Sequence, residues 1–153
     1  MPVIHCRTYI HAPIHICFDL ARDVEAHVQS TAGTRERAVG GVTSGLMKKG
    51  DTVTWEAVHF GIRQRLTAQI TAMNPPYEFT DIMIKGAFHS FTHHHQFLQS
   101  GNGTVMEDTF QYKSPLGLLG KMADRLFLER YMRAFIAGRA QELKSMAERK
   151  GTG

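Results

Sequence analysis

From residue 50 onward, turn-forming residues cut the chain at near-regular intervals, and this spacing constrains the fold more than any other feature. Lys49-Gly50-Asp51, Phe60-Gly61, Asn74-Pro75-Pro76, Lys85-Gly86 and Gly101-Asn102-Gly103 leave segments of about ten residues. Those segments alternate and are rich in Thr, Val, Ile and aromatics, the pattern of an antiparallel meander of about five strands. Val3 to Ile10 and a Gly-rich segment around Arg35 to Thr43 add two more. Between them, His11-Ala12-Pro13-Ile14 opens a helix, because proline's missing N–H would be unpaired at a first helical position anyway. Ile14, Cys17, Phe18 and Ala21 then recur at helical spacing. A second short helix is expected over Val24 to Gln29.

After the last strand the period changes. Ser114-Pro115 offers a cap and a first turn, and helical character continues to about Arg149. At about 1.5 Å per residue this is a rod of roughly 45 Å, longer than any single strand here. Leu128, Met132, Phe135, Ile136, Leu143 and Met146 form one apolar stripe, and Phe127 and Tyr131 widen it in the first half. The first half therefore reads as buried on a broad front and the second as amphipathic. Gly117 and Gly120 blur the helix start, and Gly138 points to a bend or a close approach. The expected fold class is α+β: a curved antiparallel sheet of about seven strands around a long C-terminal helix, with two short helices after strand 1.

Composition bounds the function. A length of 153 residues fits one domain over 1–153, and 42% hydrophobic with 21% charged residues is ordinary for a globular chain. No apolar run approaches the roughly 20 residues that span a bilayer, so stable membrane insertion is not expected. The first ten residues lack the basic and apolar regions of a secretory signal, which makes a cytoplasmic location the expectation. The net charge of +4 and pI near 9.3 raise the question of nucleic acid. The cations are scattered, however, and the densest group (Arg139, Lys144, Arg149, Lys150) reads as a solvated helix face, so no nucleic-acid partner is expected. Cys6 and Cys17 read as small apolar residues.

Period-two alternation separates the faces of each strand. A two-residue Phe60-Gly61 loop sets His59 opposite Ile62, Ala57 opposite Gln64 and Trp55 opposite Leu66, which brings two apolar sets onto one face. A two-residue turn at Gly101-Asn102 sets Phe97 opposite Met106, His95 opposite Asp108, His93 opposite Phe110 and Phe91 opposite Tyr112. Moving that turn to Asn102-Gly103 shifts the pairs but keeps the same face. Between them, a three-residue loop after Lys85 places Asp81 opposite His93, with Asp81 and Met83 inward. The concave face is thus apolar with a few polar groups: His59, Gln64, Asp81, His93, His95 and Asp108. Sparse polar groups on apolar walls suit a small-molecule pocket, although a packed core with mutually satisfied polar residues fits the alternation as well. Phe127, Tyr131 and Phe135 are expected to close the cavity from the helix side, opposite Trp55.

Several stretches resemble the bacterial SRPBCC branch of the START/Bet v 1-like superfamily. They are Ala12-Pro13 entering a helix with Cys17-Phe18-Asp19-Leu20, Gly86-Ala87-Phe88 leading to Phe91, His93, His95 and Phe97, then Thr104, Met106, Asp108, Phe110 and Tyr112, and finally Ser114-Pro115-Leu116-Gly117. The resemblance covers nearly the whole chain. It implies the helix-grip fold and a cavity between sheet and long helix, in a group that includes polyketide aromatases/cyclases, coenzyme Q-binding proteins and lipid carriers. It brings no family-wide catalytic motif.

His93-His94-His95 is the most reactive-looking run. On a strand His93 and His95 share a face while His94 points away, so at most two of the three converge on a metal. With Asp108 opposite, a two-His-one-carboxylate site is conceivable, but buried histidines hydrogen-bonded to Asp108 or Asp81 are favoured, and no metal or cofactor is expected. The expected activity is binding or transport of an apolar molecule (lipid, isoprenoid/quinone or polyketide-like), with no catalytic residue assigned. The ligand-binding set is Trp55, His59, Gln64, Leu66, Asp81, Met83, Phe91, His93, His95, Asp108, Phe110, Phe127, Tyr131 and Phe135. Two alternatives stand beside it. One is a cyclase/dehydratase-type enzyme using His95 and Asp108, with His93, as an acid/base group; the other is an interaction module with a vestigial cavity.

Overall fold

A computed structural model describes residues 1–114 and 127–152. Strand β1 (Val3–Ile10) leads to helices α1 (Ile14–Ala21) and α2 (Val24–Ser30), then a short 3-10 turn and β2 (Arg37–Gly41). The meander follows as β3 (Thr52–His59), β4 (Ile62–Asn74), β5 (Glu78–Lys85), β6 (Ser90–Ser100) and β7 (Gly103–Lys113), and α3 (Glu129–Thr152) closes the chain. The seven strands form one antiparallel sheet in the order β1-β7-β6-β5-β4-β3-β2. This is the helix-grip α+β architecture expected from the turn spacing. The expected helix start at Ser114-Pro115, with Gly117 and Gly120, falls on residues 115–126, which lie outside the described residues.

Turn chemistry sets the registers. Phe60 and Gly61 both have positive φ (54° and 74°), the I′ conformation that matches strand twist. The resulting pairs are His59↔Ile62, Ala57↔Gln64 and Trp55↔Leu66. Positive φ at Gly101 fits a II′ turn, and Ser100↔Gly103 places that turn at Gly101-Asn102, so that His95 faces Asp108 and His93 faces Phe110. Asp81 pairs with His93. Register shifts between Thr67/Ala68 and between Ile70/Ala72 insert an extra residue on one strand each, which bends the sheet into its curve.

The concave face carries two apolar clusters. One packs Phe18, Phe79, Phe97 and Met106 beneath α1, α2 and the second half of α3. The other gathers Ile4, Phe91, Phe110 and Tyr112 with Met132 and Ile136 of the first half of α3. Both cysteines are free, Cys17 being buried, which fits their reading as small apolar residues. No helix among the described residues is long and apolar enough to cross a membrane.

Three expectations for α3 need correction. Phe127 is 68% exposed, so the apolar front is narrower at its start than the composition suggested. Arg139, grouped above with the solvated cations, is buried at 8% exposure. Its position three residues after Ile136 puts it on the buried stripe and not on the wet face. Gly138 is exposed, and a Cβ built there would meet no atom within 4 Å, so no close approach requires it.

Candidate functional site

Between the concave sheet and the first half of α3 lies a cavity of about 460 Å³. Of the residues expected to face it, Trp55, His59, Gln64, Leu66, Asp81, Phe91, His93, Phe110, Tyr131 and Phe135 all line it. This follows from alternation: on β6 and β7, Phe91 and His93 share a face with their register partners Tyr112 and Phe110. Four expected residues fall elsewhere. Met83 packs against the apolar cluster around Phe91 and Phe110 without lining the cavity, and Phe127 turns to solvent. Asp108 is 4% exposed and lies behind His93 and His95. His95, 2% exposed, lines a smaller hollow of about 70 Å³ beneath the main cavity. For the strand residues Met83, His95 and Asp108, sequence alternation gives the face of a side chain but not its depth.

The polar patch is a chain of four side chains, three of them buried and Asp81 half-buried. His93 Nε2 lies 3.0 Å from Asp108 Oδ1, and His95 Nε2 lies 2.9 Å from Asp81 Oδ1. His95 Nδ1 sits 3.0 Å from the same Asp108 oxygen, off the hydrogen-bonding direction. The imidazoles of His93 and His95 stack at 3.8 Å, and Phe79 stacks on the other side of His95 at 4.2 Å. Burial alone would lower the His95 pKa, but the two carboxylates outweigh it and hold the ring above the ordinary histidine value. Burial and the charge of His95 push His93 the other way, toward the neutral ring. Burial would raise Asp108, yet its histidine partners keep it well below the usual carboxylate range, and Asp81 is lowered for the same reason. The acid/base pair expected as His95–Asp108 is therefore redistributed. His95 bonds across to Asp81, and His93 is the partner of Asp108 that reaches the cavity.

A second polar group was not anticipated from sequence. His27 of α2 stacks on Trp55 at 3.9 Å, and its Nε2 meets Glu36 Oε1 at 2.7 Å. Both line the main cavity together with Arg139. Burial favours a neutral His27. It works against the Glu36 carboxylate too, but the His27 contact and the Arg139 charge keep that group ionised. The available signal was a charged residue on an otherwise apolar helix stripe at Arg139; nothing in the local pattern marked His27 or Glu36. Nearer the helix start, His59 Nδ1 meets the Tyr131 hydroxyl at 2.5 Å, and Phe60 packs against Tyr131 at 4.5 Å between ring centres.

Asp81, His93 and His95 offer metal-type ligand atoms within 4.8 Å of one another. In the structure Asp81 Oδ1, His93 Nε2 and His95 Nε2 are engaged in carboxylate–imidazole hydrogen bonds, and the two rings stack with 25° between their planes. The arrangement suits proton exchange or the orientation of a guest oxygen.

The profile of the polyketide cyclase/dehydrase and lipid transport family matches residues 10–138, and the chain belongs to that family. Among solved structures, a protein of Thermus thermophilus superposes with a TM-score of 0.79 at 19% identity, over 95% of this chain and 97% of its own. The di-domain ARO/CYC StfQ from the steffimycin biosynthetic pathway does so at 0.77 and 12% identity, over 99% of this chain and 52% of its own. Major latex-like protein 151 of Panax ginseng aligns at 0.71 and 14% identity, over 95% and 97%. These likenesses carry the fold alone. No curated protein sequence matches the chain.

Proposed function

We propose that the protein reversibly binds an apolar small molecule, of the lipid, isoprenoid/quinone or polyketide-like kind, within the cavity between sheet and α3. The observation that carries this reading is the cavity itself: about 460 Å³, walled by Leu66, Phe91, Phe110, Met132 and Phe135, with polar groups confined to a few positions. Walls of this kind give affinity by burial, and the few polar groups give orientation. The family description, which pairs cyclisation and dehydration with lipid transport, is compatible with it. Native mass spectrometry of protein purified from its own host is the test, with a co-purifying hydrophobic molecule expected. A ligand-free spectrum, together with failure to take up any added lipid, quinone or aromatic polyketide, would count decisively against the proposal.

One observation favours a second reading, a cyclase/dehydratase. His93 and Asp81 reach the cavity wall, each hydrogen-bonded within a carboxylate–imidazole pair, and the two pairs touch where His95 Nδ1 lies 3.0 Å from Asp108. A neutral imidazole backed by a carboxylate takes up a proton from a guest, and the array spreads the charge. The discriminating variant is His93→Gln. Turnover lost with affinity retained assigns catalysis to the array; turnover unchanged removes it.

A further inference from the structure

The inner end of the cavity differs chemically from its walls. Arg139 reaches it from α3 and Glu36 from the residue before β2, and both line it although their residues are only 8% and 9% exposed. The Arg139 guanidinium donates from Nη2 to the Ala21 carbonyl at 3.2 Å, and its Nε has no acceptor among the described residues. A buried guanidinium with unused donors is costly unless something accepts from it. On Glu36, Oε1 is taken by His27 at 2.7 Å, whereas Oε2 has only a long 3.5 Å contact from the Thr34 hydroxyl. Two residues, one with an unused donor and the other with an under-used acceptor, thus line the same apolar chamber.

The charges nearby restrict what can fill the gap. Glu36 and Asp108 are buried carboxylates and Asp81 is a half-buried one. Facing them are the Arg139 guanidinium and a His95 ring that has a carboxylate oxygen at each nitrogen, as an imidazolium would. The pole therefore carries a net excess of one negative charge before any guest arrives. A carboxylate head would add a fourth anion to a desolvated site, and Coulomb repulsion there is weakly screened. An ether or hydrocarbon end would leave Glu36 Oε2 with only the long Thr34 contact.

We propose that this pole selects a neutral hydroxyl, a phenol or alcohol on an apolar body, whose oxygen accepts from Arg139 and whose proton is donated to Glu36. This rests on the binding reading above and specifies the polar end of its ligand. The probes are 2-naphthol, 2-naphthoate and 2-methoxynaphthalene, which share an apolar body, titrated calorimetrically into the full chain near neutral pH. The expected result is 2-naphthol binding about tenfold or more tightly than either of the others, the size of one charge-assisted hydrogen bond. Glu36→Gln should then relieve the penalty on 2-naphthoate, and Arg139→Gln, which removes a donor that the naphthol and ether oxygens share, should weaken both by a similar factor. If Arg139→Gln does not fold, the wild-type series and Glu36→Gln still decide. Naphthoate or ether binding as tightly as naphthol overturns the hydroxyl assignment and leaves the binding reading standing. No binding of any probe, in a chamber large enough for all three, overturns both.

Discussion

The two halves of α3 meet the rest of the molecule in opposite ways. In the second half Ala140, Leu143, Met146 and Ala147 are all buried, and the two alanines allow close contact with α1, α2 and β1. That contact is pinned by polar clips: Lys144 Nζ donates to the Tyr9 carbonyl at 2.7 Å, and Glu148 Oε2 accepts from the His11 amide at 2.9 Å. In the first half Leu128, Tyr131 and Phe135 are only partly buried and face the cavity. One helix thus holds the fold with its second half and roofs a chamber with its first. A chamber survives in a small protein because the stabilising contacts lie elsewhere.

The largest effect should come from the network beneath the chamber. Asp108→Asn removes the charge that two buried histidines face, and breaking a buried pair in this way costs about 3–5 kcal/mol. Urea denaturation should register that loss, and a change under about 1 kcal/mol would mean the array is not part of the packed half. Leu143→Ala tests the close-packed half directly, with a cost of about 3 kcal/mol expected from lost burial and the void left behind. Phe135→Ala, on the roof, should cost about 1 kcal/mol, because that ring already borders empty space, and should weaken ligand affinity more than stability. Equal costs at 143 and 135 would erase the distinction between the halves.

The smallest effect is one of pH. His95 is raised above its unfolded value of 6.5, so its contribution is full below pH 6.5 and is lost as pH rises through the folded value. His27, His59 and His93 are lowered; their contribution is present above pH 6.5 and is lost as pH falls through their folded values. The windows lie on opposite sides of 6.5. Stability of the wild type relative to His95→Gln should therefore decline above pH 6.5, and parallel curves there would contradict the assignment of His95.

Much of this arrangement was legible in the sequence. Turn residues have local causes, so Phe60-Gly61 and Gly101-Asn102 gave registers that the structure reproduces, and the second of these, with the loop after Lys85, placed Asp81, His93 and Asp108 near one another. Depth was not legible. Which of His93 and His95 reaches the chamber depends on how the two rings stack, and alternation assigns both to the same face. Nor was the contribution of α2 and the residue before β2 visible, since His27 sits in a short helix and Glu36 outside any element, and both meet Arg139 only through tertiary packing. Arg139 itself was misread because a cation near other helical cations looks solvated until its place on the apolar stripe is counted.

The stacking of His27 on Trp55 has an optical consequence. The chain has a single tryptophan, its indole lines the chamber, and an imidazole lies nearly parallel to it at 3.9 Å, a contact through which an excited indole loses energy. A guest that parts the two rings should brighten and shift the emission without any added dye. The chamber therefore contains its own lamp, and occupancy can be followed in real time from the protein's own light.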